Sequence, residues 1–265
     1  MDKITKNLLD GFATDNGLNM SDSELFEHFC NYCILASEYS EEFNLEDVIV
    51  AGGDDTGLDG IAVIVNGNLI LSIDEIDDLC EQNKSLEVAF IFVQAKTSSE
   101  FDGGDIGTFA FGVKDFFSDT PMLPRSDKIK EKVSYQERIY QKSNMMRSKP
   151  SLKVFYVTTG RWQNPQALVG RIKTVVEDLK QTNLFSDVDF NPVDADGIQK
   201  LYNKSKNRVS TEITFANRTV LPDIKDVREA YLGILPVAEY LKLITNDHGF
   251  INKNLCNRSR PQWQY

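Results

Sequence analysis

Val88-Ala89-Phe90-Ile91-Phe92-Val93-Gln94-Ala95-Lys96 is the stretch on which the reading of this chain turns. Six apolar residues in succession, rich in aromatic and β-branched types, predict a buried strand over 88–93. The run then ends on a polar residue, an alanine and a lysine. Side chains alternate across a strand, so Gln94 and Lys96 leave the same face. A polar pair aimed one way from the end of a buried strand suits a site at a sheet edge. Taken alone, a strand ending in Q-x-K is more often a strand reaching solvent.

Upstream of this run stands Ala51-Gly52-Gly53-Asp54-Asp55-Thr56-Gly57-Leu58-Asp59-Gly60, followed by the buried strand expected over 61–65. Asn66-Gly67 is a hairpin signal, and 69–71 returns as the partner strand. Residues 73–83 read as an acidic helix. Further upstream, residues 1–20 predict a short helix and a loop. Ser21-Asp22-Ser23 reads as a cap for a helix whose apolar positions are Leu25, Phe26, Phe29, Tyr32 and Cys33, with Glu24, Glu27 and Asn31 between them.

Downstream, Gly103, Gly104 and Gly107 are read as a break before an aromatic helix over 109–117. Loop is expected over 118–130 and a polar helix over about 128–146. A strand at 152–157, a helix at 166–181, a strand at 188–193 and a helix at 195–204 follow. From 57 to 206 this order predicts an α/β fold: a mixed β-sheet flanked by helices. A strand at 212–215 and an apolar helix at 236–245 make a small C-terminal strand–helix extension. The expected division is therefore 1–207 and 208–265, the second part being the start of another domain. Residues 253–265 are polar and basic and are expected to be loosely held.

The chain has 265 residues, 41% hydrophobic and 26% charged, an ordinary balance for a globular protein. Its net charge of −11 counts against a protein that coats nucleic acid, because phosphate contacts need Lys and Arg. An enzyme touching DNA over a small local patch is still allowed. The four cysteines form no secreted disulfide framework. Cys30 and Cys33 make a CxxC inside an apolar helical run, which reads as buried thiols rather than zinc ligands. The N-terminal MDKITKNLLDGF lacks a long apolar core, and no apolar stretch has the length of a membrane span. A cytoplasmic protein with no membrane partner is expected.

Phosphodiester hydrolysis with a metal needs a carboxylate for a hard divalent cation, a second oxygen ligand, and a cation that orients water or stabilises transition-state charge. Asp59 supplies the carboxylate, at the start of a buried strand and after a glycine-rich turn. A carboxylate there is costly unless it is paired or bound to metal. Gln94 and Lys96 supply the rest, and the Ala95 carbonyl, expected to be exposed nearby, is a further candidate ligand. The joint pattern carries the signal: glycine-rich turn, Asp at a strand start, Asn-Gly hairpin, then Q-x-K on the next long strand.

Gly57-Leu58-Asp59-Gly60 followed by Gln94-Ala95-Lys96 resembles the PD-(D/E)xK nuclease signature in its Q-x-K, Mrr-like variant. The wider text GGDDTGLDGIAVIVNG, FIFVQAK and AYLGILPVAEYLKLI resembles the abortive infection phage resistance (AIPR) family, over most of the chain. The resemblance implies a restriction-endonuclease-like sheet, a Mg2+ or Mn2+ cofactor, a DNA substrate and a role in bacterial anti-phage defence; a homodimer is left open. It also implies roles: Asp59 as metal ligand, Gln94 as metal or water ligand, Lys96 as the water-orienting and charge-stabilising cation. The upstream helix acid falls on Glu27, as outer metal ligand or base, with Glu24 one turn away as the fallback. Two departures stand out. Gln94 replaces the more usual acid, which removes one charge, and the family continues well beyond the length of this chain.

Other sites are excluded by their chemistry. DDTGLDG lacks the alternating acids of a calcium loop, and no Gly-Lys-Ser/Thr follows the glycines to make a phosphate loop. The acid run Asp74, Glu75, Asp77, Asp78, Glu81 reads as a solvated helix face. Against the DNA nuclease stand an RNA substrate and a non-enzymatic binding or regulatory module that keeps the nuclease fold but cleaves poorly.

Overall fold

The computed structural model describes residues 1–50, 57–206, 214, 216–222 and 231–244. The chain divides into two compact units, Met1–Ser205 and Lys206–Tyr265.

The first unit opens with α1 (Lys3–Asn16) and α2 (Asp22–Glu38). A hairpin follows, β1 (Gly60–Val65) and β2 (Asn68–Leu69), then α3 (Ile73–Asn83) and β3 (Val88–Lys96). Next come α4 (Gly103–Phe116), α5 (Asp127–Gln141), β4 (Ser151–Thr158), α6 (Gln166–Gln181), β5 (Asp187–Val193) and α7 (Ala195–Lys206). The five strands form one sheet in the order β2-β1-β3-β4-β5. β1 pairs antiparallel with β2 and β3, whereas β3, β4 and β5 are parallel. The sheet is therefore mixed, with the hairpin at its antiparallel edge.

Strand alternation sorts the core into two layers. Phe90 and Phe92 of β3 join Ile61 and Val63 of β1 and Val154 and Tyr156 of β4, packed against α3, α4, α5 and α6. Ile91, Val93 and Ala95 of β3 face the other way, onto α1, α2 and α7. This is why β3 reads as unbroken apolar sequence: both of its faces are covered.

Several local expectations are corrected. Gly103, Gly104 and Gly107 do not break the chain but lie inside α4. Asp102 caps that helix by accepting from the Gly104 and Asp105 N–H groups at 2.6 and 3.0 Å, and a cap of this kind offsets glycine's poor propensity. The 128–146 helix ends earlier, at Gln141, and passes through a 3-10 turn at Ser143–Met145. Asn31, placed by the sequence among polar positions of α2, is fully buried. The acid run on α3 is not only a solvated face: Asp77 is gripped by the Arg138 guanidinium at 2.7 Å and by Lys142 at 3.2 Å. Those hydrogen bonds, Arg138 first, hold its carboxyl below the usual range.

In the second unit β6 (Ala216–Val220) and β7 (Tyr231–Ile234) pair antiparallel, and α8 (Val237–Ile244) follows. The strand expected at 212–215 and the tail at 253–265 lie outside the described residues, apart from Thr214, whose N–H donates to Glu239 at 2.8 Å. No helix among the described residues is long and apolar enough to cross a membrane.

Candidate functional site

Asp59 is held by its backbone and its side chain together. Its N–H donates to the Val93 carbonyl at 3.0 Å, and its carbonyl accepts from the Val50 N–H at 3.0 Å. Its Oδ2 accepts from the Ala95 N–H at 2.7 Å, a short, charge-assisted bond. Gly60 stands opposite Val93 in the β1–β3 ladder, so continuing that register sets Asp59 opposite Gln94. The carboxylate thus rests on the backbone of the residue between Gln94 and Lys96.

Gly57 makes this approach possible. Its φ of 69° is left-handed, and a Cβ there would stand 3.0 Å from Gln94 Nε2 and 3.6 Å from the Phe109 Cα. Only glycine takes that conformation without strain. Gly60 is required for a different reason. A Cβ there would lie 1.6 Å from Asn31 Oδ1, so the asparagine occupies the space of the missing side chain.

Gln94 is buried, at 2% exposure, and its Oε1 has no hydrogen-bond partner among the described residues. Lys96 shares its face by strand alternation and makes no ion pair or hydrogen bond through its side chain among the described residues. The exposed Ala95 carbonyl that the sequence suggested is corrected: Ala95 is buried at 3% exposure, sealed beneath α2, and its N–H is committed to Asp59.

Of the two helix acids, Glu24 is spent on the cap of α2. Its Oε2 accepts from the Ser21 N–H at 3.0 Å and the Ser21 hydroxyl at 2.7 Å, which pull its carboxyl below the ordinary range. Glu27 is half-buried, and its carbonyl accepts from Asn31 Nδ2 at 2.9 Å. Burial first, then Cys33, Asp59 and Glu27, raise the Cys30 thiol well above its ordinary value, so both carboxylates bear on one α2 sulfur. Glu27 nonetheless approaches from the α2 layer, whereas Gln94 and Lys96 leave β3 on the α4 side. Cys30 and Cys33 are free and buried. No group of three or more His, Cys, Asp or Glu side chains poised for a metal is present among the described residues.

The sequence did not single out three neighbours, Tyr156, Arg171 and Asn31. Tyr156 pairs with Gln94 in the β3–β4 ladder, and its hydroxyl lies 3.5 Å from Asp105 Oδ2. Burial, then Asp105, Asp102 and Asp59, push its phenol up. Arg171 of α6 lies across the first turns of α4: its Nε and Nη1 would stand 3.2 and 3.3 Å from a Cβ at Gly103 and Gly107. A groove of about 570 Å³ runs there, lined by Phe111, Lys114, Arg171 and Asp178 among others. The small residues at 103 and 107 are the sequence signal for this approach, and by local pattern alone they suggest a chain break. The only sequence signal for Asn31 is the glycine at 60.

No protein-family model, curated protein or solved structure matches this chain.

Proposed function

We propose that this chain is a divalent-metal-dependent nuclease built on a restriction-endonuclease-like sheet, with DNA as its substrate. The observation that carries the reading is Gln94. A buried amide oxygen without a partner costs stability, and this one stands on the strand whose backbone holds the Asp59 carboxylate, two residues from a lysine that pairs with no described residue.

The donors on the α4 side suit Mg2+ or Mn2+: the Asp59 carboxylate and the Gln94 amide oxygen are both hard oxygen ligands. When bound, such an ion supplies Lewis-acid activation of water and of the phosphate. Asp59 would hold it in register with β3, because the Ala95 N–H fixes the carboxylate's orientation. Lys96 would face the scissile phosphate and offset the negative charge that grows during attack. Arg171 and Lys114 offer cations for phosphates further along the substrate. The resemblance to the AIPR family adds anti-phage defence as the setting and leaves RNA as the other substrate.

A second reading, a nuclease-fold module that binds or regulates without cutting, is favoured by the net charge of −11 and by a donor set with an amide where an acid is usual. Incubation with plasmid DNA, with and without Mg2+ or Mn2+, separates the two. The nuclease reading expects metal-dependent cleavage that Asp59→Ala abolishes. Absence of cleavage under every metal condition, or cleavage that survives Asp59→Ala, rejects it.

A further inference from the structure

A second cavity, of about 350 Å³, opens between residues 46–50, Leu71 and α5, within the size range of small-molecule sites, about 300–1,000 Å³. Lys132 lines it and is 4% exposed, yet makes no hydrogen bond or ion pair among the described residues. Its ammonium lies over the ring of Tyr135, 5.0 Å from the centroid. A buried ammonium without an anion is expensive. Burial accordingly draws its pKa down, against the pull of Glu131, Asp47 and Glu75 and with the push of Lys128.

The other charges around the cavity are accounted for, with one exception. Glu131 Oε1 and the Leu71 carbonyl oxygen flank the Tyr135 hydroxyl at 2.8 and 2.5 Å. Lys128 pairs with Glu46 at 3.4 Å. Asp47 is half-buried, and among the described residues its carboxylate makes no hydrogen bond or ion pair, including with Lys132. Among the described residues, one cavity therefore presents a cation and an anion that pair neither with each other nor with another side chain. A polyanion would be repelled by Glu46, Asp47 and Glu131. A simple carboxylate would satisfy Lys132 and leave Asp47 unanswered. A molecule carrying both charges answers both, and Ile49, Val50, Leu71 and the Tyr135 ring offer apolar wall to an aliphatic or aromatic side chain.

We propose that this cavity is a binding site for a free amino acid, whose carboxylate pairs with Lys132 and whose ammonium pairs with Asp47. The site is independent of the nuclease reading. The test is thermal unfolding of the full chain with each proteinogenic amino acid at millimolar concentration. The best binder is then compared with its deaminated and decarboxylated analogues. The expected result is a rise in melting temperature for at least one amino acid and for neither analogue. Lys132→Met and Asp47→Asn should each weaken that binding about tenfold or more, the scale of one lost charge contact. Lys132→Met removes an uncompensated buried charge, so it should be at least as stable as the parent, and lost binding cannot be assigned to misfolding. No shift with any amino acid overturns the proposal. So does equal binding of the deaminated analogue, or undiminished binding to Lys132→Met; Lys132 would then be satisfied by water and the Tyr135 ring alone.

Discussion

Gln94→Met asks whether the buried amide is kept for stability or for a ligand. Methionine has nearly the volume of glutamine and no oxygen, so the exchange preserves packing at a position 2% exposed and removes an acceptor with no partner. An unsatisfied buried polar group costs about 1–3 kcal/mol. Allowing for imperfect repacking, the metal-free variant should gain about 1 kcal/mol, seen as roughly 2–4 °C in melting temperature for a domain of this size. Metal should act in the opposite sense. At ten times the dissociation constant, a divalent ion adds about 1.4 kcal/mol to the native state of the parent protein, and the variant should lose most of that gain. Thermal unfolding with chelator, and again with Mn2+, reads both effects. A variant that is less stable in chelator, or that responds to Mn2+ as the parent does, refutes the assignment of Gln94 as a ligand held at a cost to the fold.

Other substitutions probe the scaffold. Gly60→Ala should destabilise by about 1–3 kcal/mol, the usual range for overpacking, because the new Cβ meets a fully buried Asn31 that is tied to Glu27; chemical denaturation measures it. Asp115 is buried and accepts from the Met122 and Leu123 N–H groups at 2.6 and 3.3 Å, so Asp115→Ala should cost about 1–3 kcal/mol and speed hydrogen exchange at those two amides. The pKa of Lys132 is lower in the folded than in the unfolded chain, whose value is 10.5, so between the two the unfolded chain binds more protons and stability rises with pH. That rise should be present in the parent and missing from Lys132→Met when both are compared below about pH 10, the ordinary tyrosine pKa. Above that, the raised phenols of Tyr135, Tyr140 and Tyr156 reverse the slope.

The layered sheet was legible because its strands are long apolar runs between clear turn signals. Residues 88–93 fell inside β3, and Asn66-Gly67, both at positive φ, joins β1 to β2. Which residues share a face also followed from the sequence, because strand alternation is strict: Phe90 and Phe92 lie in one layer, Ile91 and Val93 in the other. The misread residues depend on contacts that local pattern does not contain. Gly103 and Gly107 look like breakers until Asp102 is seen to cap α4 and Arg171 to lie across it. Asn31 looks like a surface position of α2 until Gly60 is seen to receive it. Asp77 looks solvated until α5 brings Arg138 alongside. Within the candidate site, the nearness of Asp59 to the Gln94–Lys96 segment was expected, whereas the burial of Ala95 and the commitment of Glu24 to its helix cap were not.

Single-turnover cleavage by Lys96→Ala decides whether Lys96 serves chemistry or merely reaches water. The parent protein, with plasmid DNA and Mg2+ or Mn2+, should cut. Lys96→Ala should keep its fold and its metal-induced rise in melting temperature while cleaving about 10²–10³ more slowly, the usual loss for a preorganised electrostatic contact. Cleavage by Lys96→Ala at the parent rate rules out a chemical role for Lys96, and a parent protein that cuts no nucleic acid with either metal is not a nuclease.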